Sequence, residues 1–218
     1  MTLLLLALAA FVGTHFLLSH PLRAPLVGAL GEKGFSGVYS LVAALTLGAA
    51  IWAWRKTPVD VLWTAPQVIW WLAIPLMIFA MILFVGSMTS PNPALMGAGK
   101  TAGGQPRGVQ TITRHPMMWA FAIWALVHAA VSGDVRTVAL CAAVGGLALV
   151  GARLQDGKKR GQLGENWAAH EAATSFVPFA RGLGNPGAVA IGGGTLLFVV
   201  ATWLHPVAGG PDIWSMMR

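Results

Sequence analysis

Two short stretches carry residues able to do chemistry inside an otherwise apolar chain. One is Thr113-Arg114-His115-Pro116, which opens an apolar run to Val131 that bears a second histidine, His128. The other is Thr14-His15, close to the end of the apolar N-terminal run. Ionisable side chains are costly inside a membrane span and mark functional sites there. At about 100° per residue, Phe121 and Trp124 share the helix face of His128, with Met117 one step further back. That pattern makes an aromatic, sulfur-lined wall around one imidazole, a surface suited to a flat apolar cofactor.

Neutral imidazole ligates haem iron through one nitrogen while an acceptor steers the other. His15 and His128, on two different helices, are therefore the candidate metal ligands, and haem b is the candidate cofactor. Either histidine taken singly fits an interhelical hydrogen bond equally well. His115 reads differently. A residue before proline is pushed out of the helical region and proline favours the first helical turn, so His115 stands at the mouth of a span beside Arg114. An arginine next to the exposed N–H groups of a helix start attracts the carboxylates of a cofactor or substrate; anchoring at lipid head groups is the competing role for Arg114. Arg114, His115, Met117, Phe121 and Trp124 are thus the candidate cofactor contacts, and His115 is the candidate catalytic residue.

The elements that must position these groups are membrane helices. Hydrophobic residues make up 56% of the chain, charged ones 10%, and the mean hydropathy is +0.69, values outside the range of soluble domains. The pattern predicts an all-α polytopic bundle of about six spans, near residues 1–18, 37–54, 67–87, 113–131, 135–154 and 188–204. A short interfacial helix is expected near 165–176, where Trp167, His170, Glu171 and Thr174 recur at helical spacing. Pro75 is a candidate kink in the third span. The first span has no basic segment before it and no small-residue cleavage site, so it is read as retained rather than as a signal peptide.

The net charge of +7 does not signal nucleic acid, because the basic residues sit in short loops between apolar runs. Ten of the fourteen Lys and Arg fall in the first, third and fifth loops, which places those loops in the cytoplasm and both termini outside. Gly97-Ala98-Gly99-Lys100-Thr101 imitates a phosphate-binding loop, but Ala94 stands where its first glycine belongs and no strand precedes it. The lone Cys141 excludes an internal disulfide.

Four separated motifs resemble the NnrU family: Thr14-His15 with Arg23 and Gly31-Glu32; Thr113 to Trp119 with Trp124 and His128; Asp156-Gly157-Lys158-Lys159; and Thr174 to Phe179. The likeness divides the chain into a haem-binding membrane domain over 1–182 and an additional C-terminal span and tail over 183–218. That family is named for an association with nitrite and nitric oxide reduction and is similar to 15-cis-zeta-carotene isomerase, a haem b membrane enzyme. The resemblance implies a multi-pass protein of a bacterial inner membrane, with a hydrophobic small-molecule substrate and lipid as its surroundings. By motif, it assigns the two iron ligands to His15 and His128. Arg114-His115-Pro116, Gly164 to Trp167 and Val177-Pro178-Phe179 are also similar, more distantly, to isoprenylcysteine carboxyl methyltransferases, which use S-adenosylmethionine. Trp167 and His170 stand where aromatic hydroxyls belong in that group. Three functions follow: a haem-dependent isomerase of a polyene cis double bond, a haem-binding accessory or sensor of nitrogen-oxide metabolism, and a methyltransferase.

Overall fold

A computed structural model describes residues 1–94 and 104–216, so the Gly97–Thr101 stretch lies outside the described residues. The described chain is all-helical: α1 (Thr2–Ser19), α2 (Arg23–Lys56), α3 (Gln67–Thr89), α4 (Pro116–Ser132), α5 (Val135–Leu163), α6 (Glu165–Ala173), α7 (Ala188–Leu204) and α8 (Ile213–Met216). Its only strand-like pairing among those residues is an isolated bridge between Val61 and Asp134. Four helices, α1, α2, α3 and α5, are long and apolar enough to cross a membrane; α4 and α7 are apolar and slightly shorter. Leu41, Leu45, Trp71, Leu126, Leu196 and Trp203 are exposed large apolar residues of these helices. Such a surface is stable only against lipid.

Two differences from the sequence pattern have local causes. The expected loop before the second span is mostly helix, because α2 already begins at Arg23 and bends at Gly31 (φ 70, ψ 168). Only glycine takes that conformation cheaply. Arg23 clasps the bend, bonding both carboxylate oxygens of Glu32 at 2.9 Å and lying 5.4 Å from the centre of the Phe35 ring. In α3, by contrast, the helix runs on through Pro75.

The described residues form two compact units. The first comprises 1–70 and 125–147. Its core holds Leu4, Leu8, Ala50 and Ala53, with Trp54, Ala139 and Leu140 packed against them. Arg136 donates to the carbonyls of Thr57 (2.9 Å) and Trp54 (3.3 Å), satisfying the C-terminal end of α2, and its guanidinium lies 4.5 Å from the Trp54 ring centre.

The second unit comprises 71–124 and 148–218 and has Leu83, Val109, Ile112, Ala120 and Ala190 at its centre. There α3 and α7 approach closely through glycine. A Cβ at Gly194 would sit 2.6 Å from the backbone of Ile82, whereas one at Gly192 would meet nothing within 4 Å. Small residues permit such contact, the means by which membrane helices gain packing without a hydrophobic drive between them. Gly194→Ala should therefore destabilise the protein by about 1–3 kcal/mol and Gly192→Ala should not, as read from unfolding in mixed micelles.

Candidate functional site

The Arg114-His115 pair is held by the chain around it before any side chain closes the site. Pro116 is the first residue of α4, and the segment ahead of it pairs with residues 175–179. The N–H of Arg114 donates to the Ser175 carbonyl at 2.8 Å, and the Phe179 N–H donates to Ile112 at 3.0 Å. The Phe176 carbonyl accepts from Thr113 Oγ1 (2.6 Å) and from the Trp119 indole (2.8 Å). Thr113 Oγ1 in turn accepts the His115 N–H at 3.3 Å, supplying a partner at the helix entrance.

Asp156, on α5 about two turns before its C-terminal end, is fully buried and binds both residues. Arg114 donates through Nη2 to Oδ2 at 2.7 Å and through Nε to both oxygens at 3.1 and 3.2 Å. His115 Nε2 lies 2.7 Å from Oδ1. Arg114 Nη2 also reaches Glu171 Oε1 at 3.5 Å, and Glu171 is held from outside by Arg160 through two 2.7 Å bonds. The Phe176 ring completes the enclosure, its centre 5.5 Å from the Arg114 guanidinium carbon and 5.4 Å from the His115 ring. The Asp156 carboxylate, gripped by the Arg114 guanidinium, accepts from His115, so Nε2 carries a hydrogen. In the neutral ring the lone pair is then on Nδ1, the arrangement of a metal ligand or a general base.

The inner face of α6 adds to this cluster. Trp167 and His170 are buried, with ring centres 5.1 Å apart. Burial, aided by the positive charge of Arg114, lowers the His170 pKa to about 4, so this imidazole is neutral in the folded protein at pH 7.

The model of the family described as NnrU protein matches residues 3–212. The chain belongs to the NnrU family. No curated protein and no solved structure matches it. The family match takes in α7, which shares the second unit's core through Ala190.

In this NnrU chain the residues singled out from sequence fall into separate settings. Arg114 and His115 form the buried cluster just described, and the Arg114 charge is met inside the protein by Asp156 and Glu171. On the continuing α4, Met117, Trp124 and His128 are half-buried, while Phe121 is exposed and meets Phe84 edge-on at 5.8 Å. His15 is half-buried on α1, its Nδ1 2.7 Å from the Phe11 carbonyl and its ring 4.5 Å from Phe11 and 5.5 Å from Tyr39. Among the described residues, no group of three or more His, Cys, Asp or Glu could hold a metal ion; ligation by two histidines is a different arrangement. Asp156, Phe176, Trp167 and His170 enter the sequence reading only as parts of motifs or of the periodicity of the α6 segment, not as residues of the site. Asp156 had a signal: it is the first acidic side chain after the eighteen residues 138–155, which are apolar or small except for Arg153 and Gln155.

His170 supplies a pH test. Its pKa is lower folded than unfolded, so between pH 6.5 and about 4 the unfolded chain binds a proton that the folded chain refuses. Stability from the neutral imidazole is complete above that window and is lost as the pH falls through it. Unfolding of the wild type should therefore become easier from pH 6.5 towards 4, and His170→Phe should lose less over the same range.

Proposed function

We propose that this NnrU-family chain is a haem b-binding integral membrane protein that isomerises a cis double bond of a hydrophobic polyene. The observation that carries the reading is the His15 hydrogen bond. With Nδ1–H donated to the Phe11 carbonyl, the imidazole is fixed in the tautomer whose Nε2 lone pair is the one haem iron takes. Phe11 and Tyr39 hold that ring edge-on from two sides. His128 is the second ligand of this reading, on an apolar helix whose same face carries Trp124 and Phe121, with Met117 beyond. These side chains bind an apolar body and exclude water from it. Held by these residues, haem would supply a redox-active iron able to lend electron density to a conjugated double bond.

Arg114 has a positioning part in this reading. Because Asp156 and Glu171 already neutralise it, its main task is to fix the entrance of α4. The same commitment argues against the methyltransferase reading, which needs an arginine free to take a substrate carboxylate.

Protein purified in detergent and loaded with hemin should show the Soret band of a low-spin haem. His128→Ala should abolish haem retention, and His15→Ala should do the same or leave a five-coordinate spectrum. Normal low-spin spectra in both variants would overturn the assignment of ligands. Conversion of a cis-carotene by the reduced protein supports the isomerase, and a haem-loaded protein that leaves it unchanged points to the accessory role in nitrogen-oxide metabolism.

A further inference from the structure

Three buried polar atoms at the Asp156 cluster have no hydrogen-bond partner: His115 Nδ1, His170 Nε2 and Trp167 Nε1. Their residues are 1%, 2% and 0% exposed. They belong to one neighbourhood. Trp167 and His170 face the same way on α6, Glu171 beside them meets Arg114 at 3.5 Å, and Phe176, a few residues on, packs on the His115 ring. An unmet buried donor or acceptor costs about 1–3 kcal/mol, so three together in a packed interior call for an occupant.

The chemistry of that occupant follows from the atoms. A neutral His115 that gives its Nε2–H to Asp156 offers only a lone pair at Nδ1, which must be met by a donor. Trp167 Nε1 offers only an N–H and must be met by an acceptor. A carboxylate or phosphate has no hydrogen for Nδ1. An ammonium group has no lone pair for the indole and would enter beside Arg114. A metal ion would leave the indole N–H unmet. A hydroxyl both donates and accepts, and His170 Nε2 can take either remaining role.

We propose that the buried face formed by His115, Trp167 and His170 binds one hydroxyl group, of water or of a membrane-soluble alcohol, which donates to His115 Nδ1. The site is independent of the haem reading, because it uses neither His15 nor His128 and a hydrocarbon polyene has no hydroxyl to fill it. Asp156, held by Arg114, keeps the His115 lone pair turned to the ligand and strengthens it as an acceptor.

The test is nitrogen NMR on protein labelled at histidine with nitrogen-15 in lipid nanodiscs, with His115 assigned by its loss in His115→Gln. The expected spectrum has His115 protonated at Nε2 and bare at Nδ1, with magnetisation passing from an exchangeable hydroxyl proton to Nδ1. Trp167→Phe, which keeps an aromatic ring but removes the N–H, should weaken that transfer several-fold and leave the tautomer unchanged. 1-Octanol is the probe of source: a transfer that persists unshifted in its presence assigns the hydroxyl to water, and a shifted Nδ1 signal with loss of the water contact assigns it to an alcohol. A protonated Nδ1, or a bare Nδ1 that neither receives magnetisation from water nor responds to 1-octanol, would overturn the proposal.

Discussion

The second unit of this protein depends on one buried ion pair. Removing a carboxylate and a guanidinium from water costs several kcal/mol per ion, recovered only by near-ideal geometry with further hydrogen bonds to the remaining lone pairs. Asp156 meets that condition: Arg114 takes both of its oxygens and His115 shares one of them. The pair thus ties the entrance of α4 to the polar end of α5. Glu171, itself gripped by Arg160, adds the start of the segment that runs from α6 to Phe179. The backbone bonds of Arg114 and Phe179 across that segment would have little reason to form without it.

An ion pair of this kind specifies more than it stabilises. An apolar core of equal volume would hold these helices as well, but it would not commit the Nε2 of His115 to an acceptor. Retaining charge here therefore makes sense as the means of presenting an imidazole. The first unit does the same by a cheaper route. On α1 a backbone carbonyl, that of Phe11, fixes His15. Both devices commit one imidazole nitrogen to a fixed acceptor, and they differ in surroundings: aromatic edges around His15, charges around His115.

Much of this was legible in the sequence where the signal is local. The apolar runs mark the helices, and proline after Arg114-His115 marks the start of α4. The bend at Gly31 was not legible, since a glycine followed by Glu32 and Lys33 reads as a loop, whereas the chain continues as helix on both sides of it. Asp156 was quoted only as part of a motif. A carboxylate 42 positions from its arginine leaves no periodicity to find, because helix packing and not spacing brings the two together. The α6 segment is the short helix that its periodicity predicts, and the buried Trp167 and His170 mark the face that the protein covers.

A double-mutant cycle on Arg114 and Asp156 tests the central claim most directly, with unfolding free energies measured in mixed micelles for Arg114→Met, Asp156→Leu and the two combined. Each single change strands a buried charge and should cost about 3–5 kcal/mol, while the double change removes both charges and should cost well under the sum, by about 2 kcal/mol or more. Additive losses would contradict the account, because the two groups would then not be partners in the folded protein.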